Sequence, residues 1–198
     1  WSPDDVVVLC MKSQDTEEAL RALIASGPDP TRLPVFCAQN SITNEPAAAR
    51  YFDRVYAVMV GFTGIYLEDG TVYNPVEGNA GYIEIGTYPS GSDELAKQVA
   101  SDLRSARFAV TDNPAVMSAK GAKMIGNLGN GLGAICDGKG DINRYMERAR
   151  EEARRCLSAA GIPFEEGSEL SARSKAVRGA NRLPDNVRNL GSSWQSLL

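Results

Sequence analysis

Residues 6–20 read VVVLCMKSQDTEEAL, and this stretch decides the fold class. Val6 to Cys10 is a short apolar run of β-branched residues, the composition of a buried strand. Ser13 and Asp15 follow as natural helix caps, and Ala19, Leu20, Leu23 and Ile24 then fall on one face of a helix. The result is a β-to-α step.

Working outward, the step repeats. Pro28 and Pro30 close the first helix, and Leu33 to Cys37 predicts a second strand. The polar turn Gln39-Asn40-Ser41 comes next, then a helix from about Glu45 to Phe52 and a third strand over Val55 to Val60. Such alternation with short connections favours a parallel sheet covered by helices. Past Gly61 the texture changes: Gly64, Gly70, Gly78 and Gly81 punctuate short strands, Thr71 to Tyr73 and Tyr82 to Ile85, which read as antiparallel with a hairpin turn at Asp69-Gly70. Ser92 is expected to cap a helix reaching about Ala106, and Phe108 to Thr111 is a last strand. From Asp112 onward the spacing predicts four helices, at roughly 114–136, 141–160, 168–180 and 184–197. The chain therefore divides into an α/β part, 1–111, and an all-α part, 112–198.

Composition removes several function classes. The formal net charge is −4, and the one basic cluster, Met146 to Arg155, alternates with glutamates as a self-paired helix face, so nucleic acid is not an expected partner. No apolar run reaches ~18 residues, so no membrane partner is expected. With no histidine in the chain, neither a Ser-His or Cys-His nucleophile nor a histidine metal site can be built, and Lys, Asp, Glu, Tyr or Cys must supply any acid or base. Cys10, Cys37, Cys136 and Cys156 lack the spacing of a metal or redox pair, which predicts inert, buried thiols in a reducing compartment, taken as the cytoplasm.

The stretch Ala119 to Ile135, AKGAKMIGNLGNGLGAI, carries the chemistry. At about 100° per residue, Lys123, Asn127 and Asn130 fall within roughly 60° of each other, with Lys120 at the edge of the stripe. Met117, Met124, Ile125, Leu128, Leu132 and Ile135 occupy the opposite side. Gly126, Gly129 and Gly133 form a third line, each costing about 1 kcal/mol against Ala in a helix interior, which predicts close approach of a backbone or a ligand. A buried helix with a solvated polar edge is the plainer reading, and two asparagines in line with a lysine count against it. Gln39-Asn40-Ser41 and Lys12-Ser13-Gln14 follow strand ends, where open α/β sheets bind ligands; each also serves as an ordinary turn. The Gly191-Ser192-Ser193 step reads on its own as a cap or a surface group.

In order, VVVLCMKSQDTEEAL, PVFCAQNSITNE, Lys123-Met124-Ile125-Gly126-Asn127-Leu128-Gly129-Asn130 and GSSWQSLL resemble the ketopantoate reductase family, also called 2-dehydropantoate 2-reductase. The resemblance implies a partial Rossmann-type NADP-binding domain followed by a helical domain of the 6-phosphogluconate-dehydrogenase type. It implies NADPH between them and hydride transfer to a 2-oxoacid such as ketopantoate. By the same resemblance Lys123 is the general acid, Asn127 and Asn130 bind the substrate's polar groups, and Ser193 binds its carboxylate. Asn40 contacts the nicotinamide ribose side of the cofactor and Lys12 lies nearer its other end.

This chain departs from the family's pattern in carrying Ser41 where a glycine follows the asparagine, and in spacing its two helix asparagines three residues apart rather than four. The glycine-rich phosphate loop is expected upstream of Trp1, and a further site glutamate beyond Leu198. The chain is thus expected to be cut at both ends, and to bind NADPH poorly by itself. Alternatives are a reductase of another bulky 2-oxoacid and a non-catalytic NADP(H) sensor. A homodimer is compatible with the sequence but not specified by it.

Overall fold

A computed structural model describes residues 1–74, 78–135 and 142–177. Its strands are β1 (Val7–Leu9), β2 (Val35–Cys37), β3 (Val55–Gly61), β4 (Ile65–Glu68), β5 (Thr71–Tyr73), β6 (Tyr82–Thr87) and β7 (Ala109–Asp112). Its helices are α1 (Thr16–Ala25), α2 (Asn44–Ala48), α3 (Glu94–Ser105), α4 (Val116–Asn127), α5 (Gly129–Ile135), α6 (Ile142–Ala159) and α7 (Gly167–Val177). The expected helix over 184–197, and Ser193 within it, lie outside the described residues.

Five strands form one sheet in the order β1-β2-β3-β6-β7. β1, β2 and β3 are parallel, as the repeated β-to-α step requires, and β6 and β7 are parallel across the α3 crossover. The antiparallel reading of Tyr82 to Ile85 holds, but its partner is β3 of the main sheet rather than β5. β6 runs antiparallel to β3, with Gly61 opposite Tyr82, because the connection between them is the β4-β5 excursion rather than a crossover helix. Asp69-Gly70 makes the hairpin turn as read, with Gly70 at φ 79°.

Alternation along the central strands fills both faces. Phe36, Tyr56, Val58, Ile83 and Ile85 pack under Ala96 and Ala100 of α3, and the Phe36 and Tyr56 rings stack 4.3 Å apart. On the other face Val35, Cys37 and Val55 meet Leu20 of α1 and Ala48 of α2, while Ala57, Met59 and Tyr82 meet Val116, Met117 and Ala119 of α4. The first helix after residue 112 therefore lies directly on the sheet.

Four local expectations are corrected. β1 is an edge strand: Leu9 is buried, but Val6 and Val8 are exposed, since α3 covers the face shared with Phe36 only further along the sheet. Cys10 and Cys156 are also exposed, leaving Cys37 as the buried thiol among the described residues. The cap of α3 is Asp93, whose carboxylate accepts from the Ala96 amide at 2.8 Å, while Ser92 donates instead to Asp112 at 2.5 Å. Finally, the helix expected over 114–136 is two helices, α4 ending at Asn127 and α5 starting at Gly129. Gly129 leaves room where Met146 of α6 presses in, its Cε 2.6 Å from where a Cβ would stand.

Candidate functional site

The carboxyl ends of β1, β2 and β3 share one edge of the sheet, and the polar turns leave from it. These turns are bound to each other. Ser13 Oγ donates to the Asn40 carbonyl at 3.2 Å, and the Asn44 amide donates to that carbonyl at 2.9 Å and to Ser13 Oγ at 3.1 Å. Thr16 Oγ1 donates to Asn44 Oδ1 at 2.9 Å and accepts from the buried Gln39 amide at 2.8 Å. The mesh leaves Asn40 exposed at the rim. It also holds Ser41 at φ 86°, a left-handed backbone that glycine adopts without strain.

Over this edge lies α4. Lys120, 3% exposed, sends its ammonium to the carbonyls of Gln39 at 2.9 Å, Cys37 at 3.2 Å and Val58 at 3.3 Å, and pairs with the fully buried Glu45 carboxylate of α2. Lys123, three residues further on, donates to the Val60 carbonyl at the end of β3. Burial pushes the Glu45 carboxyl above its ordinary range, against the pull of the Lys120 ammonium. The Cys37 thiol is pushed up to about 12, first by burial and then by the neighbouring Glu45 charge.

Gln39, Asn40, Ser41, Met59, Val60, Lys120, Lys123, Met124 and Asn127 line one side of the resulting cleft, joining the turn after β2 to α4, with Met124 beside Lys123 rather than on the opposite side as expected. Lys123 and Asn127 also border a cavity of about 260 Å3 whose other walls include Met59, Tyr82 and, from α7, Leu170, Ser171 and Ser174. The two sides differ in chemistry. The first side mixes lysines and amides with Met59, Val60 and Met124; the second is mainly apolar.

The structure thus brings Asn40, Lys123 and Asn127 together. Asn130 stands exposed on α5, past the break after Asn127, and does not line the cleft, so the three-residue stripe is shortened to Lys123 and Asn127. Lys12 is exposed in the turn after β1, outside the cleft lining. Gly126 has open space where a Cβ would stand, and the close backbone approach falls at Gly121, whose Cβ position is 2.5 Å from the Pro163 carbonyl. Sequence reasoning missed Glu45 as Lys120's partner and the α7 wall; an acid in a short helix and three ordinary residues of a later helix carry no local signal.

Residues 2–90 match the family model described as ketopantoate reductase PanE/ApbA. A 2-dehydropantoate 2-reductase of Halobacterium salinarum is 29% identical over 188 residues, covering 89% of this chain and 60% of that protein. The crystal structure of 2-dehydropantoate 2-reductase from Geobacter metallireducens superposes with a TM-score of 0.71 at 18% identity, covering 97% of this chain and 64% of that one. The ternary structure of D-mandelate dehydrogenase with NADH and anilino(oxo)acetate does so at 0.71 and 19%, covering 96% and 62%. The chain spans about 60% of the length of the curated relative it matches. The structural likenesses establish the fold, and the sequence match shows a likeness to the ketopantoate reductase family over residues 2–90.

Proposed function

We propose that this protein contributes the nicotinamide end of the cofactor site and the proton donor for the NADPH-dependent reduction of a 2-oxoacid to its 2-hydroxyacid, with ketopantoate the first substrate to try. The observation that carries the reading is the meeting of the Asn40 turn with Lys123 and Asn127 in one cleft at the carboxyl edge of the parallel strands. That edge is where open α/β sheets take nucleotide ligands.

The residues fit a reduced nicotinamide dinucleotide. Asn40 offers an exposed amide at the rim, Ser41 holds a backbone bend beside it, and no carboxylate of the lining opposes an anion. Lys12, in the adjoining turn, stands nearer the far end of such a ligand. When bound, the cofactor supplies the hydride. Lys123, held by the Val60 carbonyl, protonates the alkoxide that develops at the ketone oxygen, and its charge stabilises that oxygen beforehand. Asn127, one helical turn on, orients the substrate's polar groups. Ser193 keeps the carboxylate-binding role the family resemblance gives it, and the boundary near residue 112 separates the cofactor-binding part from the part that bears Lys123 and Asn127.

The test is NADPH oxidation by the full-length protein that contains this chain, with ketopantoate, beside Lys123→Ala. Loss of turnover with cofactor binding retained supports the assignment. Cofactor binding without reduction of any 2-oxoacid would point to a sensor. A second substrate reading, a 2-oxoacid with a bulkier apolar side chain, is favoured by Met59, Tyr82 and Leu170 in the cavity beside Lys123; a panel of branched and aromatic oxoacids decides between them.

A further inference from the structure

The ion pair between Lys120 and Glu45 is the most deeply buried charged contact among the described residues: the two side chains are 2% and 0% exposed. Stability alone does not account for it. The desolvation of two buried ions largely cancels their attraction, and apolar residues of similar volume often serve as well or better. An apolar pair, however, could not gather main-chain carbonyls. The Lys120 ammonium reaches the carbonyl of Gln39, directly before Asn40, together with those of Cys37 at the end of β2 and Val58 near the end of β3. Glu45, from α2, sets the fourth direction.

One ammonium therefore fixes the cofactor-side turn, two strand ends and α4 relative to each other. Lys123 leaves α4 one turn later and meets the next outward carbonyl of β3 on the same side, Val60. We propose that Lys120 and Glu45 are a positioning pair, which sets the separation between the Asn40 turn and the Lys123 ammonium. The proposal rests on the reductase reading above. Its physical basis is that a displacement of about 1 Å at a reacting group costs up to a hundredfold in rate, whereas a small tilt of α4 leaves the hydrophobic contacts of Val116, Met117 and Ala119 nearly intact.

The experiment compares wild type with the double variant Lys120→Met/Glu45→Met, which removes both buried charges, and with Glu45→Gln, which keeps volume and polarity. Melting, kcat and KM for NADPH and the oxoacid, and the rate of acetylation at Lys123 by peptide mapping are measured on each. The expected result is a double variant that melts as a folded protein, with kcat down roughly tenfold or more, oxoacid KM changed far less, and Lys123 acetylated several-fold faster. A folded double variant with wild-type kcat and wild-type Lys123 reactivity would overturn the proposal. If the double variant does not fold, Glu45→Gln carries the same readouts, and unchanged values there overturn it. If wild type reduces no oxoacid, the reductase reading fails, while Lys123 acetylation still decides whether the pair positions that side chain.

Discussion

Arg173 of α7 holds Glu84 of β6 across the sheet's α4 side, its Nε 3.0 Å from Oε1 and its Nη2 3.4 Å from Oε2. Glu84 is fully buried and also accepts from the Tyr82 hydroxyl at 2.5 Å and from the Asn113 amide, while Arg173 reaches Glu165 at 2.5 Å. Glu165 first and Glu84 second hold the guanidinium still more firmly protonated than usual. This network docks α7, and with it the Leu170, Ser171 and Ser174 wall, onto β6.

Arg173→Met is expected to strand the Glu84 carboxylate. Breaking a fully buried pair costs about 3–5 kcal/mol; with the Arg173 side chain 35% exposed, about 2–3 kcal/mol is expected after allowing for solvent screening. Urea titration reads the change, and a loss under about 0.5 kcal/mol would show that the network is incidental.

Two glycines of α4 should respond in opposite directions. Gly121→Ala puts a methyl 2.5 Å from the Pro163 carbonyl and 2.9 Å from Phe164 Cβ, and is expected to cost about 2 kcal/mol through overpacking. Gly126→Ala meets nothing within 4 Å and should stabilise by roughly 0.5–1 kcal/mol through helix propensity, while narrowing the cleft beside Asn127. Thermal melting of both variants gives the comparison, and equal effects would contradict the packing described.

Ser41 stands at φ 86°, so Ser41→Gly relieves the strain of a left-handed residue but loses the contact of Ser41 Oγ with Thr43. The net expectation is a stability within about 1 kcal/mol of wild type, against a loss of about 1–2 kcal/mol for Ser41→Val, where a β-branched side chain is least tolerated. Denaturant curves that rank valine at or above glycine would refute the assigned backbone.

Cys37, raised to about 12 from an ordinary value near 9, gives a pH signature. Between those values the unfolded chain ionises this thiol and the folded protein does not. The unfolded state is thereby favoured, and stability falls as pH rises through the window, by up to roughly 1.4 kcal/mol per pH unit. Below about pH 9 the thiol is neutral in both states and contributes no slope. Cys37→Ala should flatten the alkaline decline relative to wild type. In iodoacetamide mapping near pH 8, Cys10 and Cys156 should label on the native protein and Cys37 only on unfolding, since the thiolate is the nucleophile.

Much of the fold was legible because it is local. The VVVLC and PVFC runs, each followed by polar turn residues, dictate β-to-α steps whatever surrounds them, and Asp69-Gly70 dictates a hairpin. The antiparallel sense of Tyr82 to Ile85 was legible too, but its partner was not, since nothing in the run says that it joins β3 of the main sheet rather than the β4-β5 ribbon. Of the site, the helical spacing of Lys123 and Asn127 was visible, and so was the turn at Asn40. Lys120 appeared only as the edge of a stripe, because its meaning comes from a carboxylate on α2 and carbonyls on two strands, none of which helical periodicity can see. The break between Asn127 and Gly129 was hidden as well: Met146 of another helix lies against Gly129, a contact that helical periodicity does not carry.

The antiparallel pairing of β3 with β6 has a structural corollary. With Gly61 and Tyr82 opposite each other, the β4-β5 excursion leaves and rejoins the sheet on the edge that bears Asn40 and Lys123, and Tyr66 and Val72 on its strands are exposed. Lengthening, shortening or rewriting that hairpin leaves the register of β3 with β6 and the seat of α4 on the sheet as they are. The ribbon is therefore the part of this fold that can change in length and sequence without disturbing the strands that seat α4.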